Sequence, residues 1–375
     1  MNKNYIWGVS ILVGTCIGAG VLGIPYVAAQ AGFWPAVGFI LFIGLIILLA
    51  NLYLGEVSLR TKGKHQLIEY ARRYIGKNGK RLMNFAVMFG IYSALIAYTL
   101  GIGESFSFLI FGNFKYVIPL GIVFGFGMSL ILKHGMNALK KYERYGVSIV
   151  LVLLLLILVS FIGDVEVSNL NYINVQNLFI PFGVVLFALI SFHAIPEVNV
   201  LLGKKKDKSL MKKILITGSI VSVLFYIIFA FIVVGFKGAS TPEIATLGLG
   251  NVFVLLGIFT MFTSYLALGN ALQEDYFFDK GFKKKKAWVF STIVPIGIFV
   301  LLQLVSDFFS FTKILSIGGV ISGGIIAIMS LFIVKSAKQK GDRKPEYSIP
   351  VNWFLIIFLA VVFIGGAIME ILNYV

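Results

Sequence analysis

Cysteine is nearly absent. The 375-residue chain holds one, Cys16, so no internal disulfide can form and a cross-linked secreted scaffold is excluded. Charge is scarce too: Asp, Glu, Lys and Arg make up 13% of residues, about half the share in a soluble domain. Histidines number three, scattered at 65, 134 and 193, and offer neither a metal cluster nor the acid–base constellation of an enzyme. What is abundant is apolar. Hydrophobic residues reach 59% and mean hydropathy is +0.95. A soluble chain of this size cannot hide so much apolar surface, so a cytosolic enzyme and a disordered chain are excluded as well.

The apolar residues run in long charge-free stretches, the first from Lys3 to Glu56. Each stretch meets the roughly 17–25 residues that a spanning helix needs. The turn signal Gln30-Ala31-Gly32-Phe33-Trp34-Pro35 splits the first in two. The pattern predicts an all-α membrane protein of eleven helices, at 5–31, 33–58, 82–111, 116–132, 145–163, 177–202, 210–236, 247–275, 287–305, 313–334 and 352–373. The stretches are too long and too unalternating for transmembrane strands. Between them, 66–76 (QLIEYARRYIG) reads as an amphipathic surface helix.

A net charge of +16 raises the question of nucleic acid. Position answers it. With the N-terminus in the cytoplasm, all but three of the 32 lysines and arginines lie on the cytoplasmic side; only Lys115, Lys237 and Lys313 fall outside. The charge is an orientation signal, and the expected partner is the lipid bilayer, not nucleic acid. The reading is a multi-pass plasma-membrane protein with its C-terminus outside, monomeric or weakly homo-oligomeric.

Two helices are interrupted at their centres. The first carries Gly14-Thr15-Cys16-Ile17-Gly18-Ala19-Gly20-Val21-Leu22-Gly23-Ile24-Pro25; the sixth carries Ser191-Phe192-His193-Ala194-Ile195-Pro196. Glycine and proline loosen a helix, and inside hydrocarbon freed backbone groups survive only where they line a cavity or site. The breaks fall on the first helix of each set of five. Five is odd, so the second set crosses in the opposite sense: 1–163 and 164–335 form an inverted repeat, with 336–375 a cytoplasmic loop and a last helix. Matched broken helices point to a transporter's central site. Gly18 to Gly23 also fits GxGxxG, but without a βαβ unit or a suitably spaced acid it is no nucleotide motif.

Broken helices present free amides at one end and free carbonyls at the other, as a zwitterionic amino acid requires. Backbone amides of Gly18, Ala19 and Gly20 are expected to hold the carboxylate, and carbonyls near Ser191 and Phe192 the ammonium group. His193 and Tyr98 are candidate substrate contacts. The bland readings are a packing pair, Gly14 and Gly18, and a neutral core histidine.

The string GTCIGAGVLGIP resembles the first helix of the amino acid–polyamine–organocation superfamily, and is most similar to the tyrosine/tryptophan permeases and the amino acid/auxin permeases. Phe192-His193-Ala194-Ile195-Pro196 resembles their sixth-helix FHxxP stretch, and Thr263-Ser264-Tyr265-Leu266 their eighth-helix TSFL. The resemblance implies a leucine-transporter-type five-plus-five fold, symport of a neutral amino acid, aromatic in the nearest families, and no cofactor beyond a coupling ion. In sodium-coupled relatives this pattern implies a Na⁺ held by Gly14 and Ile17 carbonyls, the Thr260 carbonyl, and the Thr263 and Ser264 hydroxyls; the alternative is that these hydroxyls bond back to their own helix. The tyrosine permeases are instead proton-coupled, which makes His193 and Glu197 proton candidates. A non-transporting sensor and an uncoupled exchanger stay open.

Overall fold

The computed structural model describes residues 3–18, 20–133, 152, 155–203, 207–306 and 308–372. Regular structure among them is entirely helical. In hydrocarbon a helix is the open-chain solution that satisfies every backbone group within one segment. Among the described residues, eight helices are long and apolar enough to cross a membrane, and a ninth is reached if the pair α1 (Lys3–Cys16) and α2 (Gly20–Ala31), bent by 57°, counts as one span. The others begin with α3 (Phe33–Arg60), α4 (Leu67–Ile75), α5 (Lys77–Phe111) and the shorter α6 (Val117–Lys133) and α7 (Leu155–Asp164). Most of the predicted fifth helix, 145–163, lies outside the described residues.

The second half opens with a single turn, α8 (Val167–Leu170), and then a span in two pieces, α9 (Pro181–Leu189) and α10 (Ala194–Leu202). It continues with α11 (Met211–Lys237), α12 (Asn251–Glu274), α13 (Lys284–Trp288), α14 (Val294–Val305), α15 (Phe311–Gly318), α16 (Gly324–Lys340) and α17 (Trp353–Leu372). A π-helical turn joins α13 to α14, and a second, Gly319–Gly323, joins α15 to α16.

Several helices outrun their hydropathy boundaries. α5 starts at Lys77, five residues before the predicted 82, because Gly76, at φ 98°, ends α4 and turns the chain directly into α5. α16 runs to Lys340, past the predicted 334, and carries Lys338 and Lys340 in its last turn. Hydropathy marks the hydrocarbon edge, whereas a helix ends where its hydrogen bonds do.

α4 buries Leu67, Tyr70, Ala71 and Tyr74, the i, i+3, i+4, i+7 stripe of an amphipathic helix, and turns Arg72 and Arg73 outward. On that basic face a strap ties three elements. Glu56, fully buried at the end of α3, accepts from Arg60 (2.8 Å), Lys338 (2.9 Å), Ser348 Oγ (2.9 Å) and the Ile349 amide (2.8 Å). The expected Glu56–Arg60 pair is thus part of a larger network.

Glycine seams bring the central helices together, as membrane packing favours. A Cβ on Gly20 would sit 2.8 Å from the Ala188 Cα, and one on Gly319 would sit 2.7 Å from the Phe187 amide. Gly319 opens the π turn and lets it press against α9.

Candidate functional site

Both expected interruptions exist. α1 ends at Cys16 and α2 begins at Gly20, with Ile17 and Gly18 between them; Ala19 lies outside the described residues. α9 ends at Leu189 and α10 begins at Ala194. The two breaks meet. Gly20, opening α2, packs on Ala188, closing α9.

A cavity of about 80 Å³ fills the angle between them. A water needs about 10–15 Å³ by this measure, so the space has room for several waters or part of a small organic molecule. Four of the sequence candidates, Gly18, Gly20, Tyr98 and His193, are among the residues that line it. A Cβ on Gly18 would lie 3.3 Å from both the Tyr98 hydroxyl and Ser264 Oγ, so α5 and α12 close on the same point.

Other candidates sit elsewhere. Ser191 and Phe192 are buried and do not line the cavity. Ser191 Oγ accepts from Asn51 Nδ2 (2.8 Å), and the carbonyls of Ser191 and Phe192 accept the amides of Ala194 and Ile195 (3.0 and 3.3 Å). The residues of the α9 end that line the cavity are Phe187, Ala188 and Ile190. Glu197 is exposed on α10, one turn beyond His193. Thr263 Oγ1 lies within hydrogen-bond reach of the carbonyls of Phe259 (3.1 Å) and Thr260 (3.0 Å), the geometry of the back-bonding alternative. Of the five oxygens assigned to Na⁺, Ser264 is the side chain that reaches the break at Gly18. Ile17 is buried just past the end of α1, and Gly14 lies within that helix.

The side wall escaped the sequence reading. Val87, Gly90, Ile91 and Ala94 of α5 form an i, i+3, i+4, i+7 stripe ending one turn before Tyr98. Ser322 of the π turn faces Gly90, and Phe187 and Ile190 come from α9 and its end. Helical spacing was the available signal, but every span carries such stripes. The wall residues lie N-terminal to Tyr98 on α5 and C-terminal to Ser264 on α12, where Leu268 lines the space. The cavity therefore extends towards the face that carries the basic segments. Thr15, in the last turn of α1, is exposed at its mouth.

The molecule shares its fold with MhsT, whose crystal structure in complex with L-phenylalanine matches at TM-score 0.70 and 14% identity, over 100% of this chain and 99% of that one. In sequence it is similar to glutamine transporter 2 of Aliivibrio fischeri, 26% identical across 94% of each chain. It is also 26% identical to tyrosine-specific transport system 1 of Haemophilus influenzae, over 61% of this chain and 56% of that protein. The low affinity tryptophan permease of Escherichia coli is 26% identical over 62% of this chain and 59% of its own length. The model of the tryptophan/tyrosine permease family matches residues 1–370, and the chain belongs to that family of amino acid permeases.

Proposed function

We propose that the protein is a secondary active symporter that moves a neutral amino acid across the membrane by alternating access. The observation that carries this reading is the cavity at the meeting point of two interrupted helices, bordered by the start of α2 and the end of α9. The glycine-lined start of α2 offers amides to a carboxylate, and the end of α9 offers carbonyls to an ammonium group. No charged side chain is needed at the centre. The names of the relatives, which specify glutamine, tyrosine and tryptophan, support a neutral amino acid with a sizeable side chain.

In this reading the topology is eleven spans, with 1–163 and 164–335 as inverted repeats and 336–375 as loop and final helix. The N-terminus is cytoplasmic and the C-terminus outside. The cavity then opens inward, and the conformation is the substrate-releasing one. Na⁺ or H⁺ drives uptake. Ser264 beside Gly18 supports a cation near the break, while His193 in the wall and Glu197 one turn below it make a proton route.

The deciding measurement is uptake of a labelled amino-acid panel into proteoliposomes under separate inward Na⁺ and H⁺ gradients. Uptake that requires one gradient supports symport and names the ion. Uptake with neither points to an exchanger, and binding without flux to a sensor. Thr263→Ala combined with Ser264→Ala should weaken Na⁺ dependence; dependence that survives intact moves the ion elsewhere.

A further inference from the structure

One tyrosine touches both breaks. Tyr226 of α11 is fully buried. Its hydroxyl lies 2.6 Å from the Cys16 carbonyl, at the end of α1, and 2.8 Å from the Ala188 carbonyl, near the end of α9. Each carbonyl has lost its helical partner because the helix stops there. Cys16 O retains the Gly18 amide at 2.9 Å. Among the described residues, Ala188 O has only the tyrosine.

A phenol has one proton to give. Two carbonyls from two interrupted spans thus share a single donor supplied by a third helix. We propose that Tyr226 is a positioning residue: it staples the end of α1 to the end of α9 and fixes both carbonyls at the junction beside the cavity, which Cys16 and Ala188 line. An arriving ammonium group carries the additional N–H donors that this proton-poor pair lacks. The part concerning the ammonium group rests on the reading of the cavity as an amino acid site; the staple itself does not.

The chain supplies its own reporter. Cys16 is the sole cysteine, is 4% exposed, and directs Sγ at the Leu189 carbonyl across the same junction (3.7 Å). Loosening the staple uncovers it. The experiment compares wild type with Tyr226→Phe in purified, reconstituted form. It measures the rate of Cys16 alkylation by N-ethylmaleimide and the affinity for L-glutamine, L-tyrosine and L-tryptophan. The expected result is alkylation several-fold faster, with binding of the preferred amino acid weaker by about tenfold, as for a buried acceptor left without its donor. An unchanged alkylation rate overturns the staple, whatever the affinity does. Faster alkylation with unchanged affinity overturns the link to the ammonium group. A wild type that binds no amino acid sinks the transport reading, while the alkylation arm still decides the staple. Should the phenylalanine variant not fold, Tyr226→Met removes the same donor with a more adaptable side chain, and the same outcomes apply.

Discussion

The two sides of the α1–α2 break are built differently from similar residues. Beyond the break, along α2, small residues admit neighbouring helices. A Cβ on Gly23 would lie 3.2 Å from both Thr312 and Val184, and one on Gly101 of α5 would lie 2.8 Å from Met261 Sδ. Met261 and Phe311 are fully buried there. Glu243 closes the seam by accepting from the Thr312 amide (3.1 Å) and hydroxyl (3.0 Å). Before the break, along α1, the chain is parted from α5 and α12 by the cavity, and Thr15 is exposed. A glycine in a span therefore has no fixed meaning. What faces it decides whether it is a seam or a space.

Substitutions should separate the two sides. The largest effect is expected at their boundary. Gly20→Leu must push α2 off the Ala188 backbone and so open the junction itself. Amino-acid binding should fall by more than about 100-fold, since a repacked seam costs several kcal/mol. The check is equilibrium binding on protein shown to be inserted and monodisperse; near-normal affinity would detach the helix break from the site.

On the sealed side, Gly101→Val overpacks against Met261 and Phe311. It should lower stability by about 1–3 kcal/mol, visible as a lower unfolding temperature in detergent. On the open side, Thr15→Phe enters space rather than packing. Stability should stay within about 0.5 kcal/mol, while uptake falls by about tenfold because the mouth is filled. If Thr15→Phe destabilises the protein as much as Gly101→Val does, the contrast between the sides is void.

The smallest effect is expected away from both. Arg72 and Glu69 pair on α4 at 2.6 Å, with the arginine side chain 57% exposed. Arg72→Ala should change stability by less than about 0.5 kcal/mol. The guanidinium holds the Glu69 carboxyl below its usual range. That contribution is present above the ordinary carboxylate pKa and fades as pH falls through the lowered value. Unfolding of wild type and variant should therefore converge in acid.

The spans, the two interruptions and α4 were legible because each rests on local properties: hydropathy, helix-breaking residues, and an apolar stripe. Gly18, Gly20, Tyr98 and His193 were legible for the same reason, since an interruption identifies its own neighbours. Ser191 and Phe192 stay off the cavity wall while Ala188 is on it, because the sequence marks an interruption without saying which of its residues face the space. Thr263 and Ser264 look equivalent in sequence, yet one bonds back into α12 and the other reaches Gly18. Consecutive positions on a helix point about 100° apart, and which of the two faces the break depends on how α12 is rotated against its neighbours. The α5 stripe, Ser322 and Tyr226 gave no local sign. Tyr226 is one of 16 tyrosines, and its role depends on carbonyls 210 and 38 positions away in the chain.

The network around Glu56 has a mechanical consequence. With its carboxylate gripped by Arg60 on one element and Lys338 on another, and the segment 348–349 pinned beside them, α3 and α16 are clamped at one end into a single strut. One belongs to the first half of the chain and the other to the second. The two halves cannot slide past each other at that end without first breaking the ion pair between Lys338 and this buried carboxylate.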